Sequence, residues 1–310
     1  MAYNASPSYE HIFYIGGTGI SGIRDLNFSY GVSRTPVNAL GVGHVQPVLA
    51  EALQGEISMT RDLIYSDPIL SLTGDVSIDG SIIYASDLSE SSGQVIGFTS
   101  GYLTSYSVSA SIGDVPTIQT NFSVFGKMGS GVRLGELDYS GVTPTQIVGF
   151  LNQRDIEVSI EQSTTNRITQ FEQSFNVERV PIYDLKEKTS ENYYAPTQII
   201  TKTPIEVTSS FTVEIDDFET ANLMDSTRSG VYERINGVIK FPEDNINGLR
   251  DHSGPIGDFI RDDSNNVIED AGYKTMFEFA SISGNLISES VTTSIDGLLN
   301  VNLEFRNYLK

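Results

Sequence analysis

GYLTSYSVSASIGDVPTIQTNF, residues 101–122, alternates small polar with apolar residues and then turns at Gly113-Asp114. Successive side chains on a strand point to opposite faces, so period-two alternation around a Gly/Asp turn predicts a β-hairpin. Residues 284–305, GNLISESVTTSIDGLLNVNLEF, repeat the pattern and turn at Asp296-Gly297. Aligned without gaps, the two stretches share Gly101/Gly284, Leu103/Leu286, Ser105/Ser288, Ser107/Ser290, Val108/Val291, Ser111/Ser294, Ile112/Ile295 and Phe122/Phe305. The chain is therefore expected to be mainly β and to carry this hairpin twice.

Two further pairs precede it in the same order. SYGVSRTPVNAL (29–40) and SFNVERVPIYDL (174–185) share Ser29/Ser174, Val32/Val177, Arg34/Arg179, Pro36/Pro181 and Leu40/Leu185, with Tyr30/Phe175 and Val37/Ile182 as close substitutes. Their offset is 145 residues, Ser29 to Ser174. EISMT (56–60) and EVTSS (206–210) align at an offset of 150, Glu56 to Glu206. Three pairs in one order predict a duplicated unit. The growing offset places insertions in the second half, mainly between 217 and 272. Pro36 and Pro181 mark a strand end, a bulge or an edge, because proline cannot donate to a ladder. The plain reading of this motif is a strand running into a turn. The functional reading is a strand edge that meets a neighbouring subunit.

EISMTRDLIY and IEVTSSFTVEI read as single strands, and DVSIDGSIIYAS as a hairpin around Asp79-Gly80. Helical patterns are sparser: 45–55, 143–153 and 218–235 are the candidates, one short helix being expected in each half. These signals divide the chain into an N-terminal arm (1–22), whose HIFYI is expected to add a strand to a neighbour, and a first β domain (23–127). A Gly-rich linker or protruding loop (128–149) comes next, then a second β domain (150–310) with an insertion at 217–272.

The 310 residues suffice for two domains with real cores. The absence of cysteine removes disulfides, thiolate metal sites and cysteine nucleophiles, and fits a reducing cytosol. The opening MAYNASPSYEHIFYIGG lacks a secretory pattern, and no stretch approaches the ~20 apolar residues of a membrane span, so a soluble protein with no membrane partner is expected. The net charge of −21 is the wrong sign for gripping nucleic acid by counterion release. It suits either plain solubility or a surface that DNA slides past.

Several motifs tempt and fail. Gly17, Gly19 and Gly22 have dinucleotide-loop spacing, but the next residues read as a strand, and 37–46 lack the acidic ribose ligand. Asp262, Asp263, Asn265, Asn266, Glu269 and Asp270 lack calcium-loop spacing. His11, His44 and His252 do not sit at metal-ligand intervals. No acid/base pair or nucleophile motif stands out, so no enzyme activity and no cofactor are expected.

At the strand S-Y-G-x-x-R-x-P-V-x-x-L-G and the late hairpin, the sequence resembles the major tail tube proteins of long-tailed and contractile phages. The resemblance covers most of 12–126 and, more weakly, the second half; 217–272 has no counterpart. It implies two tandem β-sandwich or half-barrel tube domains, each with a short flanking helix. It implies rings of six such units that join sheets and stack into a hollow tube, either as six chains or as three chains in a pseudo-hexamer. The implied partners are further copies of this chain, the sheath, the baseplate or initiator, and the terminator, with DNA passing through the lumen without specific binding. The implied location is the virion tail, after synthesis in the bacterial cytoplasm. The inter-subunit strand is then expected around Ser29, Val32, Arg34, Pro36 and Leu40 and their counterparts Ser174, Val177, Arg179, Pro181 and Leu185. Leu103, Val108, Ile112 and Phe122, with Leu286, Val291, Ile295 and Phe305, form the repeated hairpin. The alternatives are a low-copy baseplate or neck protein with tube-like domains, and a virion decoration or glycan-binding β-sandwich.

Overall fold

A computed structural model describes residues 11–16, 18–20, 22–31, 34–37, 46–49, 54–63, 67, 69–70, 76–84, 94–130, 155–161, 163–183, 196–215, 224–225, 227–228, 234–242, 276–293 and 299–309. Gln54–Asp62 shows why these segments are strands. Ile57, Met59 and Arg61 are buried, while the residues between them are exposed or half-buried. Thr117–Val124 buries Ile118, Thr120, Phe122 and Val124 by the same alternation. One apolar face per strand is the pattern of an antiparallel sheet that covers a core on one side.

The first half contributes β1 (His11–Ile15), β2 (Thr18–Ile20), β3 (Ile23–Gly31), β4 (Arg34–Val37), β5 (Gln46–Leu49), β6 (Gln54–Asp62), β7 (Ile78–Tyr84), β8 (Gln94–Ser111), β9 (Thr117–Val124) and β10 (Met128–Ser130). The second contributes β11 (Glu157–Ile160), β12 (Ser163–Thr165), β13 (Ile168–Asn176), β14 (Arg179–Ile182), β15 (Gln198–Thr201), β16 (Ile205–Ile215), β17 (Ile235–Pro242), β18 (Met276–Thr292) and β19 (Leu299–Leu309). The fold is mainly β. Among the described residues, fifteen strands form one antiparallel sheet, and β4-β5 and β14-β15 are separate two-stranded ladders.

The pairings of the two halves match. β3-β6-β9-β8 and β13-β16-β19-β18 have the same order, and β2-β1-β7 and β12-β11-β17 extend them alike through β8 and β18. Counterparts are 145 residues apart for β1 to β4 (Ser29 to Ser174) and 152 for β5 and β6 (Glu56 to Thr208). They are 157 apart for β7 (Gly80 to Gly237) and 183 for β8 and β9 (Phe122 to Phe305). With these shifts Ile15↔Thr18 becomes Ile160↔Ser163, Arg34↔Leu49 becomes Arg179↔Thr201, and Leu103↔Phe122 becomes Leu286↔Phe305. Two irregularities repeat as well. The β3–β6 register slips between Ile23 and Asp25, and β13–β16 slips between Ile168 and Gln170. β8–β9 slips between Leu103 and Ser105, and β18–β19 between Leu286 and Ser288. The turn after β1 holds Gly16 at φ +57°, and its counterpart Glu161 sits at +53°. Each amide of that pair donates across to β7 or β17, Gly16 to the carbonyl of Asp79 and Glu161 to that of Asn236.

Long β8 serves two partners in turn along one edge. β7 pairs with its residues 94–101 and β13 with 105–111. The sheet also folds over itself. Phe13 of β1 meets Phe28 of β3 edge-on at 6.0 Å, and both lie within 6.4 Å of Phe98, although β1 and β3 are not paired. These rings face one another across a common core that also takes in Ile57, Leu103, Phe122, Phe171, Phe211 and Phe305.

Several expectations change. Within 1–22, HIFYI does not wait for a neighbour: it is β1, paired to β2 and β7 with Phe13 buried, while residues 1–10 lie outside the described residues. Asp79-Gly80 is no turn. It lies inside β7 beside a bulge, where a Cβ on Gly80 would sit 2.4 Å from the Phe98 ring. Residues 46–49 and 54–55 are strand, not helix. Met128–Ser130, at the start of the supposed linker, pairs with β8. The insertion is narrower than 217–272, because β17 within it is the counterpart of β7. The EISMT/EVTSS alignment is two residues out of register. In the described residues the helical turns are at Met224-Asp225 and Thr227-Arg228, within the 218–235 candidate, and, tighter, at Ile69-Leu70; 143–153 and the rest of 218–233 lie outside the described residues.

Candidate assembly interface

The halves join where β8 meets β13. Ser107 lies opposite Ser174, Val108 opposite Gln173 and Tyr106 opposite Phe175. Alternation sends Tyr106, Val108 and Ala110 inward with Phe171 and Phe175. Val108 is 0% and Phe175 8% exposed. Tyr106 and Phe175 stack at 5.4 Å and 12°. An offset aromatic pair of this kind adds about 0.5–1.5 kcal/mol beyond its burial.

Tyr106 is fixed from behind. Its hydroxyl donates to Asp67 Oδ2 at 2.9 Å, and the same oxygen accepts from Arg61 Nη2 at 2.5 Å. Arg61 and Asp67 are 0% and 1% exposed. Burial, and then the Asp67 carboxylate, push the Tyr106 phenol far above its ordinary pKa, so it remains a donor.

Residues 102–104 fall between the end of β7 and the start of β13, which leaves their outer carbonyls without strand partners. Val177 N–H donates to Thr104 O at 2.7 Å, and Arg179 Nε donates to Leu103 O at 3.0 Å. The guanidinium lies 5.6 Å from the centre of the Tyr102 ring and also donates to Thr201 Oγ1. Arg179, from the repeated motif, thus bridges the second half to the bulge of the first. A planar cation that can stack and donate at once suits this place better than lysine. An open groove beside it is lined by Thr104, Phe125, Asn176, Arg179 and Glu206.

The counterparts of these two strands, β18 and β3, stand at the ends of the repeat. β3 pairs only with β6, and beyond Gly284 β18 pairs only with β19 among the described residues. Two of their inward positions are bare: Val291, counterpart of Val108, is 53% exposed, and Tyr30, counterpart of Phe175, is 65%. Tyr308 on β19 is 53% exposed where its counterpart Phe125 is 4%.

Of the residues singled out from sequence, the junction gathers Leu103, Val108, Ser174, Val177 and Arg179. Ile112 packs at its margin, its N–H donating to Thr169 O at 3.0 Å. Ser29 and Val291 lie on the two free strands, Leu286 is half-buried beside the second bulge, and Phe122 and Phe305 are core residues away from both edges. Arg34 and Pro36 fall on β4 opposite Leu49 and Pro47, and half-buried Pro181 on β14 opposite Ile199. Val32, Leu40, Leu185 and Ile295 lie outside the described residues. Sequence reasoning missed the Tyr106–Phe175 stack and the Arg61–Asp67 pair. Arg61 had a signal: it continues the inward series of Ile57 and Met59.

The Gly17–Gly22 spacing spans the β1-β2 hairpin and the approach to β3, and the element it opens is that strand, not a helix whose N-terminus could receive a phosphate. Among the described residues no group of three or more histidine, aspartate or glutamate side chains is arranged to hold a metal, and no helix is long and apolar enough to cross a membrane. No protein-family model matches the chain, and no curated protein sequence matches it significantly.

Proposed function

We propose that this chain is a structural virion protein that polymerises into stacked rings forming a phage tail tube, a conduit for the genome. One observation carries the reading. Among the described residues, the two strands with one edge open at the ends of the repeat are the counterparts of the two strands that pair at its centre, and Val291 and Tyr30 are exposed where Val108 and Phe175 are buried. A strand edge of this kind is a template for another chain. Joining β18 of one molecule to β3 of the next is a heterologous contact, which makes a ring if the rotation closes.

The repeated registers and bulges support descent of both halves from one unit, since bulges are retained features of a fold rather than defects. Three such chains supply six units, the number implied by the tail tube resemblance. A net charge of −21 suits a wall past which DNA moves without adhering. Sheath, initiator and terminator proteins would meet the tube from outside and at its ends, and the role needs no cofactor or enzymatic chemistry.

Negative-stain electron microscopy of the purified, concentrated protein tests this. Rings that stack into hollow tubes are expected. A protein that remains monomeric contradicts the reading, and isolated rings that never stack would favour the low-copy baseplate or neck alternative.

A further inference from the structure

The internal junction specifies the register of the external one. We infer that β3 of one chain pairs antiparallel with the end of β18 of a second copy, with Phe28 opposite Val291, Ser29 opposite Ser290 and Tyr30 opposite Glu289. The inference rests on the assembly reading above and deepens it, fixing one alignment of several. It comes from transferring Gln173↔Val108, Ser174↔Ser107 and Phe175↔Tyr106 through the 145-residue offset that relates β3–β6 to β13–β16 and the 183-residue offset that relates β8–β9 to β18–β19.

Three facts make the transfer more than formal. The bulge at Leu103 to Ser105, where β8 passes from β7 to β13, recurs at Leu286 to Ser288, just past the last β17 pairing at Gly284, and the same stretch of edge is open on β18 among the described residues. The close glycine before it recurs too. A Cβ on Gly284 would lie 2.2 Å from the Arg306 carbonyl, and one on Gly101 2.5 Å from the Phe98 ring, so neither position has room for a side chain where the first partner leaves. Finally, the register puts exposed Val291 beside half-buried Phe28, whose ring already belongs to the Phe13–Phe98 cluster, so joining extends an existing core. A slip of one residue would turn Val291 and Phe28 to opposite faces, and a slip of two would leave Val291 opposite Leu26 or Tyr30 and detach the edge from the repeated bulge.

The ring need not be as tight as the internal junction. Glu289 takes the place of Tyr106, and its carboxylate already accepts from Arg228 Nη2 at 2.7 Å. The Tyr106–Phe175 stack is therefore replaced by a tyrosine beside a paired carboxylate. Chains can then be held as folded monomers and joined in a separate step.

The chain has no cysteine, which makes the test clean. The internal pair Ser107→Cys/Ser174→Cys first establishes which short thiol cross-linker bridges this geometry, giving a cross-linked monomer. Under assembly conditions, Ser29→Cys/Ser290→Cys with that reagent is expected to give covalent oligomers. Asn27→Cys/Ser290→Cys and Ser29→Cys/Ser288→Cys, displaced by two residues, are expected to give at least roughly tenfold less, because diagonal neighbours lie about 7–8 Å apart. Oligomers that cross-link in a displaced pair, or through none of the three, overturn the register and leave assembly standing. Wild-type protein that forms no oligomer overturns the assembly reading and this inference together.

Discussion

The same strand pair occurs in two states. At the centre of the chain β8 and β13 are zipped, with Val108 and Phe175 buried; at its ends β18 and β3 present Val291 and Tyr30 to water. Burying an aliphatic or aromatic side chain is worth about 1.5–3 kcal/mol, so the central pair contributes to the stability of each molecule and the end pair contributes nothing until something covers it. The backbone frame is the same at both, down to the bulge. The difference teaches that tethering separates them: covalent linkage supplies the central strand with its partner, and the ends lack that advantage.

The halves also differ behind the junction. In the first, a loop acid receives the β8 phenol, Asp67 to Tyr106; in the second, a base on a helical turn meets the β18 acid, Arg228 to Glu289. The first arrangement is dry and the second is partly exposed. Removing Asp67 should therefore be the most damaging change. Asp67→Ala leaves Arg61 charged in the core and is expected to cost about 3–5 kcal/mol in urea unfolding of the isolated chain.

Next comes the pair that separates the two states most sharply. Phe175→Ala empties a packed site and should cost about 3 kcal/mol. Tyr30→Ala, at the counterpart position, should change monomer stability by less than about 0.5 kcal/mol while reducing assembly measured by sedimentation velocity. Equal monomer costs would erase the distinction. Val108→Thr buries a hydroxyl and is expected to cost about 1–3 kcal/mol, whereas Val291→Thr should leave the melting temperature unchanged.

Tyr106→Phe deletes one hydrogen bond to a carboxylate and should cost about 1.5–3 kcal/mol at neutral pH. It carries a pH signature. The folded phenol is raised above its unfolded value of about 10, so its contribution is complete below pH ~10 and falls as the pH rises further, when only the unfolded chain ionises. The variant should lose less stability than wild type on going from pH 9 to 11, read by denaturant titration at each pH. The smallest effect belongs to Lys202→Ala, which removes an exposed ion pair with Glu178 beside the junction and should leave the unfolding midpoint unchanged.

Much of the framework was legible because two diverged versions of it could be compared. The hairpins at 101–122 and 284–305 and the strands at 23–31 and 205–215 are readable from alternation alone. The EISMT/EVTSS match fails by two residues for a physical reason: a strand pattern repeats every two positions, so a slip of two preserves which side chains point inward, and only pairing to β9 and β19 fixes it. Asp79-Gly80 carries turn chemistry, yet Gly80 is there because Phe98 and the Tyr14 carbonyl crowd it from across the sheet, a long-range fact no local window contains. HIFYI reads as a free arm because its partner, β7, lies some seventy residues on. At the site, the repeated motif drew Arg179 and Val177 out of the sequence as residues facing a neighbouring subunit, whereas the structure sets them at the junction inside the chain, and the stack of Tyr106 on Phe175 needed the fold.

Amide hydrogen exchange on the free chain and on assembled protein tests the central claim most directly, because it reads which backbone edges become paired. The account predicts that protection on assembly concentrates in 27–31 and 288–292, while 105–111 and 170–176, already paired, are protected in both states. Assembly that leaves β3 and the end of β18 exchanging as in the free chain, with new protection elsewhere, would contradict it.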